Sequence, residues 1–310
     1  MAIAPSLSFA DQPTDAVGAV TQPPEPPPEQ TPPPADTGLN LGHFQVTEIL
    51  GRGGCGLVLK AFDRKLHRTV AVKVLSGEAA ANPTARKRFL REARAAAAVR
   101  NEHVVPIHAV EDGPNPYLVL EYLPGGSLQQ RFERTGRFTP ADVIRVGAQV
   151  ARGLAAAHDR GIVHRDVKPA NVFLDAGPEL AVKIGDFGLV WVADDAGVSR
   201  DGAVVGTPYY MSPEQARGEP VDHRSDLFAL GSVMYLLAAG RLPFAGASSA
   251  GVIHRVAYEP PTPAHVVAPD VPRWLGAIIA RLHASDPDDR YRSATELADV
   301  LDACGRELTR

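Results

Sequence analysis

The stretch His164-Arg165-Asp166-Val167-Lys168-Pro169-Ala170-Asn171 packs an acid, a base and an amide into eight residues. Asp166 can accept a proton from an attacking hydroxyl, Lys168 can hold a transferring phosphate, and Asn171 can hold a metal ion through oxygen. Fifteen residues after Asn171, Asp186-Phe187-Gly188 offers a second metal-binding carboxylate. Just upstream, Thr139-Pro140-Ala141-Asp142 has the cap, first-turn proline and N3 acid of a helix start. That helix should run to about Asp159 and stop at Gly161, so the loop begins where a long buried helix ends.

Moving outward toward the N-terminus, five segments read as strands. His43 to Leu50 and Leu57 to Phe62 flank Gly51-Arg52-Gly53-Gly54-Cys55-Gly56. The GxGxxG therefore lies between two strands, whereas a dinucleotide fold would follow it with a helix. A hairpin with glycines at its tip makes a flap whose amides can cover phosphates, although a plain hairpin turn is the more common explanation of the motif when it stands alone. Val70 to Leu75 is apolar on both faces and carries one lysine, Lys73. A lysine inside a buried strand needs an anionic partner. Two are available in principle: a nucleotide phosphate and a carboxylate on the next helix. That helix runs from about Thr84 to Arg100 behind the start signal Asn82-Pro83. Glu92 is the acid on its apolar face with Phe89, Ala96 and Val99, among Arg86, Lys87, Arg88, Arg91 and Arg94. Arg88 is an alternative partner for Glu92 one turn back, but the face favours Lys73. Val104 to Val110 and Pro116 to Glu121 complete the five strands, and Leu120-Glu121-Tyr122-Leu123-Pro124-Gly125-Gly126 changes character into a turn and reads as a hinge into a helical remainder.

Composition narrows the classes. A chain of 310 residues carries a prior of about two domains. Apolar residues make up 45%, enough for a sizeable core, and a net charge of −4 points to neither nucleic acid nor a membrane surface. Residues 1–40 hold five acids, no Lys or Arg, and ten prolines between Pro5 and Pro34, so they read as a disordered linker or tether; a docking site for a proline-recognising partner is the rival reading, which no fixed repeat favours. Residues 41–310 carry 32 bases and 31 acids and are close to neutral. Two cysteines, Cys55 and Cys304, cannot build a disulfide framework, which suits a reducing compartment and a cytoplasmic location; Cys55 reads as a spectator thiol. No signal peptide is visible. The longest uncharged apolar run, Leu227 to Gly240, has fourteen residues against the ~20 of a membrane span, so it reads as a core helix and the chain as lacking a membrane segment.

The motifs together resemble the eukaryotic-type serine/threonine protein kinases also found in bacteria. GRGGCGLV, VAVK, Glu92, HRDVKPAN, DFG, GTPYYMSPEQ, Asp226 of SDLFALG and Arg290 of DPDDRYRS occur in family order across residues 41–303. The resemblance implies an α+β, two-lobed protein kinase fold. A small five-stranded antiparallel N-lobe with one main helix would span 41–123, and a larger, mainly helical C-lobe 124–304, followed by a tail at 305–310. It implies transfer of the ATP γ-phosphate to Ser/Thr hydroxyls of protein substrates, with Mg2+, or Mn2+ in its place.

Residue by residue, the resemblance makes Asp166 the acceptor and orienter of the hydroxyl, Lys168 the γ-phosphate stabiliser, and Asn171 and Asp186 the metal ligands. Lys73, held by Glu92, would anchor the α- and β-phosphates. The glycine loop from Gly51 through Arg52, Gly53 and Gly54 to Gly56 would cover the phosphates. Val58 and Ala71 would form the adenine roof and Phe173 the floor, with the backbone of Glu121 and Leu123 on the adenine edge and Leu120 as gatekeeper. Core packing explains each of these apolar residues equally well. Glu214 would pair with Arg290, with Ser212 standing where the family usually has alanine. Arg165 marks kinases switched by an activation-segment phosphate. Ser199 is the one Ser/Thr between Gly188 and Thr207, and it would be the autophosphorylation site, pairing with Arg165 and helped by Arg88. Two copies would meet for that reaction. Thr207 would contact Asp166 and Lys168. A pseudokinase scaffold is the rival reading, opposed by the presence of Lys73, Asp166, Asn171 and Asp186; a small-molecule kinase of the same fold ranks behind both. Gln129 to Glu133 and Tyr235 to Leu237 contain one acid, Glu133, so a strong preference for basic peptides is not indicated.

Overall fold

Short apolar, β-branched segments between residues 40 and 121 build one antiparallel sheet. The computed structural model describes residues 39–53, 56–177, 180–187 and 208–308. Its sheet has six strands in the order β1 (Asn40–Leu41), β2 (Phe44–Gly53), β3 (Gly56–Asp63), β4 (Arg68–Leu75), β6 (Tyr117–Glu121) and β5 (Ile107–Glu111). The five strands expected are present. The sixth is a two-residue strand paired Asn40 to Gln45 and Leu41 to Phe44, too short to leave a pattern in the sequence.

Register sorts the side chains of this sheet into two faces. Val58 lies opposite Lys73, Ala71 opposite Leu120, and Lys73 opposite Leu118. Directly paired residues share a face, as do residues two apart on one strand. Val58, Ala71, Lys73, Leu118 and Leu120 therefore line one face. The other face carries Leu59, Ala61, Val70, Val72 and Val119, buried together with Phe44 and Val46. Helix α2 (Pro83–Ala97) lends Phe89, Leu90 and Ala93 to the first face. Its start is held by Asn82, whose side chain accepts from the N–H groups of Thr84 and Ala85, with Pro83 in the first turn.

The remainder is helical. Thr139 caps α4 (Pro140–His158) by accepting from the Asp142 N–H, as the TPAD signal predicts. Gly161, at φ 71°, turns the chain out of that helix. The apolar run at 227–240 forms most of α6 (Arg224–Ala239), and residues 225–238 of it are all buried. With α9 (Arg273–Leu282) and α10 (Ala294–Leu308), these helices enclose a core containing Leu154, Leu227, Leu230, Val233, Leu275, Leu297 and Leu301. No helix among the described residues is long and apolar enough to cross a membrane. A small hairpin, β7 (Val172–Leu174) with β8 (Val182–Ile184), sits on α4 and carries the chain from the 164–171 loop to Asp186.

Candidate active site

The loop at 164–171 is built on one buried carboxylate. Asp226, in the first turn of α6, accepts the backbone N–H groups of His164 and Arg165, each at 2.8 Å, and contacts His158 Nε2 at 2.8 Å. These contacts hold Arg165 at φ 65°, a left-handed conformation that non-glycine residues rarely take. His164 is fully buried. Its Nδ1 accepts the Asp166 N–H at 3.3 Å, so the proton sits on Nε2, which donates to the Gly185 carbonyl at 2.9 Å. That bond ties the loop to the segment bearing Asp186. The Phe187 ring packs on His164 at 4.6 Å.

On this frame the reactive groups converge. Asp166 Oδ2 takes Lys168 Nζ at 2.7 Å and Asn171 Nδ2 at 3.0 Å. Asn171 Nδ2 also donates to the Asp166 carbonyl at 2.8 Å, which leaves its Oδ1 as a spare oxygen donor. Among the described residues, Asp166 Oδ1 carries no hydrogen bond. Asp186 follows the bond from Gly185 N–H to the Asn171 carbonyl, 2.9 Å long, and adopts φ 63°. Its Oδ1 lies 3.0 Å from Lys73 Nζ. Burial works to raise the Asp186 carboxyl, yet the Lys73 ammonium, with Lys168 nearby, holds it below the ordinary carboxylate range. No group of three His, Cys, Asp or Glu among the described residues is able to hold a metal. Two oxygen donors, Asp186 and Asn171 Oδ1, fit a hard cation that draws its other ligands from phosphates and water.

The expected partner of Lys73 is corrected. The ammonium, 6% exposed, pairs with Asp186 and not with Glu92. Glu92 is half-buried on α2, where the charges that act on it are Arg88, Arg91 and Arg165. Burial raises its carboxyl above the ordinary value despite those guanidiniums. A buried ammonium needs one counter-charge, and the left-handed backbone of Asp186 brings a carboxylate to it.

The apolar candidates do come together. Ala71, Leu120, Leu123 and Phe173 belong to one cluster with Val105 and Ile107, and Val58 shares the sheet face of Ala71. The Glu121 N–H is taken by the Pro106 carbonyl at 3.0 Å. The glycine motif is a hairpin: Gly51 pairs with Val58, exposed Arg52 with Leu57, and Gly53 with Gly56. Gly56, at φ 141°, has its backbone so close to β4 that a Cβ would lie 1.9 Å from the Val74 carbonyl oxygen. Glu214, in α5 (Pro213–Arg217), meets Arg290 in two parallel bonds of 2.8 Å, and Ser212 caps that helix. Gly54, Cys55, Ser199 and Thr207 lie outside the described residues.

Two contributors escaped the sequence reading. Asp226 entered it as a motif residue without a task. The signal was an acid at the head of an apolar run, which needs donors if buried. Gln215 also supports the loop, donating to the Arg165 carbonyl at 3.1 Å.

Comparison with known proteins places this assembly. The protein kinase domain model matches residues 44–300, and the chain belongs to that family. The serine/threonine-protein kinase PknB of Mycolicibacterium smegmatis is 40% identical over 266 residues, covering 83% of this chain and 42% of that protein. A probable serine/threonine-protein kinase of Streptomyces coelicolor is 36% identical over 270 residues, covering 85% and 40%. The chain thus spans about two fifths of the length of these relatives. The crystal structure of the Mycobacterium tuberculosis PknI kinase domain matches with a TM-score of 0.67 and 29% identity, covering 87% of this chain and 98% of that one. The fold is the two-lobed protein kinase fold, with a curled antiparallel sheet and a helical lobe.

Proposed function

We propose that this chain is an ATP-dependent serine/threonine protein kinase. The observation that carries the reading is the state of Asp166: one carboxylate oxygen is held by Lys168 and Asn171, and the other carries no hydrogen bond from the described residues. An acceptor hydroxyl donates to Oδ1 and is aligned toward the γ-phosphorus. As the new O–P bond forms and the bond to the ADP oxygen breaks, the hydroxyl proton passes to Asp166. Lys168 offsets charge on the transferring group, and Lys73 is placed to meet the α- and β-phosphates. Asp186 and Asn171 Oδ1 hold Mg2+, which when bound neutralises phosphate oxygens. Val58 and Ala71 form the roof over adenine and Phe173 the floor. The Glu121 carbonyl and the Leu123 N–H take the adenine edge, and Gly51, Gly53 and Gly56 let the hairpin backbone approach the phosphates.

Serine and threonine are favoured over tyrosine by Lys168 in the loop and by the names of the relatives, both serine/threonine-protein kinases. Phosphorylation of Ser199 by a second copy, read through Arg165, belongs to the same proposal, as does a reducing, cytoplasmic setting. The test is transfer of radiolabel from Mg-ATP to a generic protein substrate by wild type and Asp166→Asn. Wild type should label the substrate, and the variant should be slower by roughly 10²–10⁴-fold. No transfer by folded wild type would sink the proposal.

A further inference from the structure

Two ion pairs among the described residues join the six-stranded sheet to the β7–β8 hairpin and the segment just after it. Lys73 with Asp186 is the first. The second lies at the end of β6: Lys183 Nζ, from β8, stands 2.5 Å from Glu121 Oε2. The two residues are 62 positions apart and sit in different sheets. Their side chains are 18% and 32% exposed, so solvent screens the pair only in part.

This second pair closes a circuit that the backbone has begun. The Glu121 N–H donates to the Pro106 carbonyl, and the segment before Pro106 is stitched to β8. Ile184 N–H donates to the His103 carbonyl at 2.8 Å, and Val105 N–H donates to the Ile184 carbonyl at 2.9 Å. Lys183 is also the cross-strand partner of Phe173. Two residues on, Gly185 has no room for a side chain, since a Cβ would lie 3.2 Å from the Phe173 ring and 3.0 Å from Val105. The Lys183 ammonium thus joins the strand of Phe173 to the residue that begins the hinge.

We propose that Lys183 and Glu121 form a clamp that sets the spacing between the hinge backbone at 121–123 and Phe173, making Lys183 a positioning residue for nucleotide. The inference rests on the kinase reading in that the slot it braces is the adenine slot. Neither side chain is needed for transfer itself, so the clamp acts on affinity and not on the chemical step.

The experiment measures ADP affinity by calorimetry with the whole chain and Mg2+, alongside ATP kinetics. Lys183→Met and Glu121→Gln should each weaken ADP by about fivefold, the upper range for a partly exposed pair. The double variant should be no weaker than either single, because each removes the same interaction. Lys183→Arg should restore most of the affinity. For Lys183→Met, KM for ATP should rise with kcat within about twofold, a split that a general loss of structure would not produce. If Lys183→Met fails to fold, Glu121→Gln with Lys183→Arg gives the same comparison. Unchanged ADP affinity in the folded single variants, or effects that simply add in the double, would overturn the clamp. Wild type that binds ADP without transferring phosphate ends the kinase reading and leaves the affinity cycle to decide the clamp. Wild type that binds no ADP ends both.

Discussion

Lys73–Asp186 and Glu214–Arg290 are both lysine- or arginine-to-carboxylate pairs, and they are held in opposite ways. Arg290 is 0% exposed at its side chain and Glu214 4%. The guanidinium makes two parallel bonds to the carboxylate and further bonds to the carbonyls of Ala284, Arg224 and Ser285. Ser225 adds a short hydroxyl bond to the same carboxylate, and the guanidinium lies over the Phe228 ring. Every donor of Arg290 is used. Lys73 by contrast makes one ion pair among the described residues, at 3.0 Å, and its partner's side chain is 24% exposed. A planar fork locked on all sides has one arrangement. An ammonium with three donors and one carboxylate can change partners. The lesson is that a buried pair near the reacting atoms is kept under-coordinated, while the pair that holds the helical lobe is saturated.

The sharpest way to break the comparison is to truncate the saturated pair. Arg290→Ala leaves Glu214 buried without its counter-charge, and should cost about 3–5 kcal/mol. For a domain of this size that lowers the thermal midpoint by on the order of 10 °C. Calorimetric scans of variant and wild type check it; a loss within about 1 kcal/mol would mean that the saturated pair is ornamental.

Acid probes the same pair more gently. Burial pushes the Glu214 carboxyl up, but hydrogen bonds from Arg290 and Ser225 and the guanidinium charge bring it below its ordinary value of 4.5. A carboxyl depressed in the folded state stabilises above its unfolded value and loses that contribution as pH falls through the folded one. Asp186 and Asp222 are depressed as well, so wild type must be compared with a variant. Glu214→Gln should be less stable at neutral pH, yet lose less stability than wild type between about pH 6 and about pH 3. Protonation keeps the shape of the side chain, so this effect is smaller than truncation. Parallel denaturation curves for the two proteins contradict it.

How much of this could be read in advance differs between the two pairs. The Glu214–Arg290 pair was legible because both residues sit in motifs with fixed neighbours. The strands were legible as short apolar runs bounded by turn residues, and the α2 and α4 starts from Asn82-Pro83 and Thr139-Pro140, since those signals are local. The partner of Lys73 was not. Glu92 and Asp186 are both carboxylates within reach in principle, and the choice depends on where α2 sits against the sheet, which no local pattern encodes. The same holds for Lys183 with Glu121 and for Asp226 with the amides of His164 and Arg165. These contacts span 62, 62 and 61 positions and exist only once two elements have packed. The loop residues could be grouped in advance because Asp166, Lys168 and Asn171 lie within six positions of one another, and their side chains do meet.

The smallest stability effect belongs to the exchangeable pair. Lys73→Met removes the ion pair with Asp186, but it also relieves the cost of burying an ammonium in β4. Met fills much the same volume with a flexible apolar chain. Asp186, with a quarter of its side chain open, is left with access to water. The two terms oppose each other, so the folded state should change by no more than about 1 kcal/mol. Transfer should nevertheless fall by on the order of 10²-fold or more, because the Lys73 charge is lost while nearby Lys168 is engaged by Asp166. Urea denaturation and a radiolabel assay on the same preparation check both halves. Should Lys73→Met instead unfold as readily as Arg290→Ala, the two pairs are equally structural and the contrast between them fails.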